Sequence, residues 1–367
     1  MNLSVGIVGL PNVGKSTLFN ALLKEQQAYV ANFPFATIEP NIGVVPVPDS
    51  RLVKLSQLIK ESENLLVDPP IVPATVQFVD IAGLIAGAHK GEGLGNKFLS
   101  HIRQVHAICH VVRAFQDSDI VREGSTNPQK DFSVVEMELI LADLQTLEKQ
   151  RDPGNTPDKE LCKRWDVVQK FHKALSQGVP ARSVEMLFGE QPHADDLHLL
   201  TSKPILIALN VGETDMVRAD ELEKEYAKLF AVSSDQVIAI CAKTEMEIAG
   251  LSESEQQEYL QGIGVTKSGL ERIIAKAFAT LGLSTFLTAG EKEVRAWTIE
   301  KSMTAPQAAG VIHTDFEQQF IRMDVIPWDK LIEAGGWVLA RQKGLIRSEG
   351  KEYVLRNGDV VIVKHGA

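Results

Sequence analysis

The chain has 367 residues, 44% of them hydrophobic and 23% charged, with a formal net charge of −10. That composition describes a globular protein of roughly two or three domains, large enough to bury a core without staples. The acidic balance argues against a generic nucleic-acid binder, because non-specific binding rests on Lys and Arg neutralising phosphates. Cys109, Cys162 and Cys241 are its cysteines and none sits in a C-x-x-C pair, which argues against a disulfide framework or a zinc site and for a reducing compartment. Met1–Val8 has no basic region and no apolar run approaches the length of a membrane span, so a cytoplasmic location without membrane contact is expected.

Taken in chain order, Leu3–Val8 is almost wholly apolar and reads as a buried parallel strand. The loop Gly9–Gly14 and a helix from Lys15 to near Lys24 follow it. Asn32–Pro40 is irregular, with Pro34 and Pro40 as breakers. Asn41–Val47 is a second strand, and Arg51–Lys60 a helix with Leu52, Leu55 and Ile59 on one face. Ala74–Asp80 is a third strand, and the glycine-rich stretch Gly83–Gly95 is expected to be a mobile loop. Ala107–Val112, Pro204–Leu209 and Val237–Cys241 complete a parallel, doubly wound α/β sheet.

The interval from Arg113 to Pro204 runs to about 90 residues, whereas a crossover needs only about a dozen. It must hold an insertion. Asp131–Gln150 has Phe132, Val135, Leu139 and Ala142 at helical spacing, and Asp152–Asn155 is a turn. Lys159–Ser176 is a second helix, with Leu161, Trp165, Val168 and Leu175 on one face. Together they make an antiparallel helical hairpin, serving either packing or a protruding arm for a partner. Beyond about Leu283, Val294–Ile299 and Phe320–Val325 are strand-like, and Thr304–His313 is a short helix capped by Thr304 or Ser302. Tyr353–Leu355 and Val360–Val363 read as a final strand pair around Asn357-Gly358-Asp359. The expected division is a P-loop domain over 1–125 and 200–280, a helical insertion over 126–199, and a small α+β module over 281–367.

Gly9–Thr17 matches G-x-x-x-x-G-K-[ST] between a strand and a helix, the context a phosphate-binding loop requires. The backbone N–H groups of Asn12, Val13, Gly14, Lys15, Ser16 and Thr17 would cradle the phosphates of ATP or GTP at the helix N-terminus. Lys15 would reach the β- and γ-phosphates, and Ser16 would ligate Mg²⁺. Thr37 is a second hydroxyl ligand candidate. Asp80 would hold the metal through water, and the Gly83 N–H would sense the γ-phosphate. Leu84 stands where Ras-type GTPases carry the glutamine that orients the attacking water, so turnover must rely on another group. The Asn12 side chain is a candidate ligand for K⁺.

Asn210-Val211-Gly212-Glu213 occupies the place of the guanine-reading N-K-x-D motif, with Val211 for the lysine and Glu213 for the aspartate. The change weakens guanine selectivity, and Asn210 could instead pair with N6 and N7 of adenine. Cys241 and Ala242, after the last strand, could touch the base through backbone N–H.

These segments resemble the YchF/Obg-like ATPase family over the whole chain. The resemblance rests on Gly6–Thr17, Asn32–Asn41, Asp80–Leu84, Lys90–Asn96, Lys292–Trp297 and Ala305–Gly310. It implies a Ras-like Obg-type G domain interrupted by a coiled-coil hairpin, then a β-grasp TGS domain. It also implies ATP hydrolysis in preference to GTP, a hydrophobic residue in place of the catalytic glutamine, and association with the ribosome. It leads one to expect a catalytic histidine shortly after the strand ending near Arg113. Arg122 stands there instead, and it can stabilise phosphoryl charge but cannot act as a base. His89, in the glycine-rich loop, and His110, on a strand, are the other candidates. Arg341, Lys343, Arg347, Lys351 and Arg356 cluster near the C-terminus and suit the large subunit or its ribosomal RNA. No homodimer signal stands out, so a monomer is expected. The expected role is a nucleotide-dependent switch in translation or stress response. The alternatives are an Obg-type GTPase and a nucleotide-gated binding module with negligible turnover.

Overall fold

The computed structural model describes residues 3–32, 41–81, 94–115, 127–265 and 267–366. The chain divides into two compact units: 2–45 with 77–281, and 46–76 with 282–367.

The first unit is built on strands β1 (Ser4–Val8), β2 (Ile42–Pro46), β4 (Thr75–Asp80), β5 (Ala107–Arg113), β6 (Ile205–Asn210) and β7 (Val237–Ile240); β3 (Ile71–Val72) pairs elsewhere. Their order is β2-β4-β1-β5-β6-β7. β1 lies parallel to β4 and β5, β5 to β6, and β6 to β7. Every residue of β1, β5, β6 and β7 is buried. This follows from helices covering both faces of a parallel sheet, so that each strand is apolar along its whole length. The chain order and the parallel pairing make this the Ras-like arrangement, with the phosphate loop at the carboxyl end of the central strand β1.

The insertion begins with the helix Pro128–Glu148, N-capped by the Asn127 side chain. Phe132, Val135, Leu139 and Ala142 join the core beneath the sheet, while Ile140 and Leu147 on the same helix join a second core. That second core also holds Val167, Val168, Phe171 and Leu175 of the helix Lys159–Ser176, with Ala181, Ala194, Leu197 and Leu199 folded over them. The hairpin is therefore covered by its own return segment. Of the face expected to pack, Leu161 is 48% exposed, while Val168 and Leu175 are buried and Trp165 packs beside them, joined by Val167 and Phe171.

The second unit carries β8 (Leu283–Ala289), β9 (Val294–Glu300), β10 (Phe320–Pro327), β11 (Arg347–Glu349) and β12 (Asp359–His365) in the order β11-β10-β12-β8-β9-β3. The helix Ala305–Ile312, with a capping box between Thr304 and Gln307, packs across it in the β-grasp manner. Two expectations are corrected here. Tyr353–Leu355 does not pair with Val360–Val363; β12 inserts between β10 and β8, and Val354 makes only an isolated bridge to Thr304. The Asn-Gly turn is real, with Gly358 at φ +87°, but it leads the chain into the middle of a sheet rather than back along it.

The second correction concerns Pro46–Val76, expected in the P-loop domain and grouped instead with the C-terminal module. β3 lies parallel to β9, and Val294 N–H donates to the Pro70 carbonyl at 3.0 Å. The helix Ser50–Ser62 buries Leu52, Leu55, Ser56 and Ile59. Arg51 donates to Asp49 at 2.6 Å, to Thr285 Oγ1 at 2.9 Å and to Asn357 Oδ1 at 2.9 Å. The helix was legible from its periodicity, but its partner was not.

Candidate functional site

The phosphate loop leaves β1 at Val8 and turns on three residues with positive φ: Gly9 (+152°), Asn12 (+59°) and Gly14 (+99°). A Cβ on Gly9 would lie 2.5 Å from the Val111 carbonyl oxygen of β5. The left-handed turns aim successive N–H groups at one concavity, which is how a backbone nest holds an anion. The helix Lys15–Asn32 opens directly behind it, its first bond running from Leu18 N–H to the Gly14 carbonyl at 2.9 Å. Lys15 is buried, and its ammonium donates to the Leu10 carbonyl at 2.8 Å. Burial holds its pKa below the usual lysine range, and the Asp80 carboxylate pulls the other way. Asp80 ends β4 beside Ile7 of β1; burial raises its carboxyl and Lys15 opposes the rise. A buried ammonium facing a helix N-terminus is a place where added negative charge is favoured.

Ser16 is exposed on the first turn. Its hydroxyl and the Asp80 carboxylate are hard oxygen donors of the kind Mg²⁺ accepts while keeping several waters. Among the described residues, no group of three or more His, Cys, Asp or Glu could hold a metal by itself. The donor set therefore fits an ion shared with phosphate rather than a protein-only cage. Thr37, Gly83, Leu84, His89 and Arg122 lie outside the described residues. His110 is buried, stacked on Phe132 at 5.3 Å between ring centroids, and held neutral by burial with its pKa down at about 3. It is a packed core residue.

Asn210, at the end of β6, has 4% exposure. Its Nδ2 donates to the Val13 carbonyl at 2.9 Å, and its Oδ1 accepts from Ala242 N–H at 3.1 Å. The amide thus joins the phosphate loop to the segment after β7. A Cβ on Gly14 would lie 2.2 Å from Asn210 Nδ2, so a side chain there would displace the amide. Between the loops tied by Asn210 lies a cavity of about 530 Å³, bordered by Asn12 and Thr17 on one side, Val211 and Glu213 on another, and Cys241–Lys243 on a third. Val211 is buried, and its N–H donates to the Ile240 carbonyl. Cys241 Sγ accepts from Thr244 Oγ1 at 3.2 Å.

Two contributors escaped the sequence reading. Phe115 borders the cavity, with the Arg113 guanidinium 4.2 Å above its ring. Arg113, 3% exposed, also donates to the Asn12 carbonyl at 3.4 Å. An aromatic two residues past a central strand, at the carboxyl edge where α/β sheets bind ligands, was the available signal. Tyr259 donates to Glu213 Oε1 at 2.8 Å from the helix Glu253–Gly262, and nothing local in sequence announces that pair. A larger cavity of about 680 Å³ borders Phe132, Glu136 and Arg182 and contains none of the phosphate loop.

Comparison with known proteins agrees with this geometry. Residues 4–148 match the family model described as a 50S ribosome-binding GTPase. Residues 283–366 match the YchF GTPase C-terminal model, described as a protein of unknown function. The chain is 47% identical to the ribosome-binding ATPase YchF of Bacillus subtilis over 371 residues, with 98% of each chain covered. It is 45% identical to the ribosome-binding ATPase YchF of Haemophilus influenzae, again with 98% of each covered. The solved structure of the Schizosaccharomyces pombe YchF GTPase superposes with a TM-score of 0.86 at 37% identity, over 99% of this chain and 98% of that one.

Proposed function

The chain belongs to the YchF family of P-loop nucleoside triphosphatases, and from that premise we propose that it hydrolyses ATP in preference to GTP, with Mg²⁺, as a nucleotide-dependent switch on the ribosome. The observation that carries the reading is the Asn210 clamp, which joins the phosphate loop and the segment after β7 around a cavity of about 530 Å³. Lys15 and the helix N-terminus behind it would take the phosphates. Ser16, Thr37 and Asp80 would share Mg²⁺ with them, and that ion would neutralise charge on the transferring phosphoryl group. Gly83 would supply the N–H that senses the γ-phosphate. The Asn12 side chain would offer a ligand to K⁺. Arg122 and His89 are the residues to test for a role in hydrolysis. The base preference is supported by Val211 and Glu213, which replace the lysine and aspartate that read guanine.

The ribosome reading draws on the relatives' names and on the basic cluster. Arg341, Lys343, Arg347, Lys351 and Arg356 are all exposed. Arg347 pairs with Glu349 at 3.0 Å, while Arg341, Lys351 and Arg356 have no ion pair among the described residues. Binding that releases phosphate counterions weakens linearly with the logarithm of salt concentration. The test is twofold. Titration with ATP and GTP should give the tighter constant for ATP. Co-sedimentation with ribosomes across a salt series should show a shallower salt dependence when Arg341, Lys351 and Arg356 are changed to Ala. Equal affinities would favour an Obg-type GTPase, and unchanged pelleting would make the cluster an ordinary solvated face.

A further inference from the structure

We propose that Tyr259 sets the base preference of this pocket by holding Glu213 in an orientation that guanine cannot use. The inference rests on the reading that a purine occupies the cavity bordered by Val211, Glu213 and Ala242. Guanine presents N1–H and N2–H₂ side by side, and a carboxylate reads them with both oxygens together. Such a bidentate pair needs both oxygens turned to the same edge. Adenine offers a single donor there, N6–H₂, next to the acceptor N1.

Glu213 borders the cavity, and its Oε1 accepts from the Tyr259 hydroxyl at 2.8 Å. Its side chain is exposed, with one more methylene than an aspartate, so by itself it would be free to swing. Tyr259 removes that freedom from outside the loop. It stands on the helix Glu253–Gly262, which is fixed at its start by the Ser252–Glu255 capping box. Beside Tyr259, Leu260 is buried, which ties that turn of the helix to the core. The position of the hydroxyl is thus dictated by a separate element. The bond to Glu213, first among the causes, keeps the phenol pKa above its ordinary value, so the tyrosine remains a donor at neutral pH. Oε1 is thereby drawn toward the helix Glu253–Gly262, so the two oxygens are not presented side by side to one edge of the base. A single oxygen turned to the base suits the one donor that adenine brings and leaves one of guanine's two donors to water instead of the carboxylate, so the second bond of the pair is lost.

The test compares Mg·ATP and Mg·GTP dissociation constants for the full chain and its Tyr259→Phe variant by calorimetry. Phenylalanine keeps the ring and removes only the hydroxyl, and the melting temperature reports whether the fold is intact. Freed from Tyr259, Glu213 can meet guanine with both oxygens. GTP should then bind about tenfold tighter while ATP changes by less than about twofold, so the ATP-to-GTP ratio falls by about tenfold. A ratio that stays constant, whether both affinities hold or fall together, overturns the proposal. Glu213→Gln separates the two levels of inference. If it shifts the ratio and Tyr259→Phe does not, only the role of Tyr259 fails. If it too leaves both affinities unchanged, the base does not sit in this cavity.

Discussion

Asn210 packs so tightly on Gly14 that a side-chain carbon on the glycine would collide with its Nδ2. Gly14 also holds φ +99°, which an L side chain rarely adopts. Two reasons converge on one atom, because Asn210 is itself pinned to the Val13 carbonyl and the Ala242 N–H. Gly14→Ala should therefore abolish measurable ATP binding by displacing the clamp. Asn210→Ala leaves a buried carbonyl and a buried N–H without partners. It should lower stability by about 2–4 kcal/mol and weaken nucleotide binding by more than about tenfold. Thermal melts and nucleotide titrations of both variants check this. Unaltered ATP affinity in Asn210→Ala would remove the clamp from the account of the site.

Lys15 separates folding from function. Its ammonium is desolvated and its pKa is lowered by that burial, so the charge costs stability until phosphate arrives. Lys15→Met keeps the apolar stem and removes the charge. The nucleotide-free variant should melt no lower than the parent chain, while ATP turnover falls by about a hundredfold or more. The rise in melting temperature on adding ATP should shrink with it. These are read by melts with and without Mg·ATP and by phosphate release.

Arg51 ties Asp49 to Thr285 and Asn357 within the C-terminal unit. Its partner Asp49 also caps the helix Ser50–Ser62 through the Arg51 N–H at 3.0 Å. Arg51→Ala leaves that carboxylate largely buried without its cation and should cost about 2–4 kcal/mol in denaturant unfolding. Nucleotide affinity should not change, since the partners of Arg51 named here all belong to the unit of 46–76 and 282–367.

Glu245 gives the chain a pH signature. It lies on the helix Ala242–Ile248 and accepts from Gly269 N–H at 2.8 Å and Leu270 N–H at 3.1 Å. Burial, opposed by those bonds and reinforced by Glu25 and Glu271, raises its pKa from 4.5 to about 7. The folded value lies above the unfolded one, so the proton is held more tightly in the native state. Its stabilising contribution is complete below about pH 4.5 and is lost as pH rises to about 7. Glu245→Gln carries no proton to lose. Relative to the variant, the parent chain should lose on the order of 3 kcal/mol across that window, measured by urea unfolding at several pH values. Parallel curves would contradict the raised pKa.

What could be read from sequence follows local rules. The unbroken apolar runs of β1, β5 and β6 announce buried parallel strands. The helix Lys159–Ser176 lies between its capping Asp158 and Gly178 with the bounds its pattern implies. Gly9–Thr17 names a phosphate site because the glycines, the lysine and the helix start all lie within nine consecutive positions. Composition and spacing are sufficient wherever the partners are neighbours in the chain. Val211, Glu213 and Leu84 likewise announce departures from a guanine-specific GTPase without any coordinates.

Tertiary structure alone decided the rest, because the deciding contacts join residues far apart in sequence. Asn210 could be placed at a strand end from sequence, but its bonds to Val13 and Ala242 in two other segments could not. The turn at Asn357-Gly358 looked like a hairpin until β12 entered between β10 and β8. The helix Ser50–Ser62 carried a clear apolar face, but periodicity states only that a face is buried and not against what. Phe115 over the cavity and Tyr259 on Glu213 belong to the same class. The phosphate loop was therefore a property of the sequence, while the shape of the cavity beside it is a property of the fold.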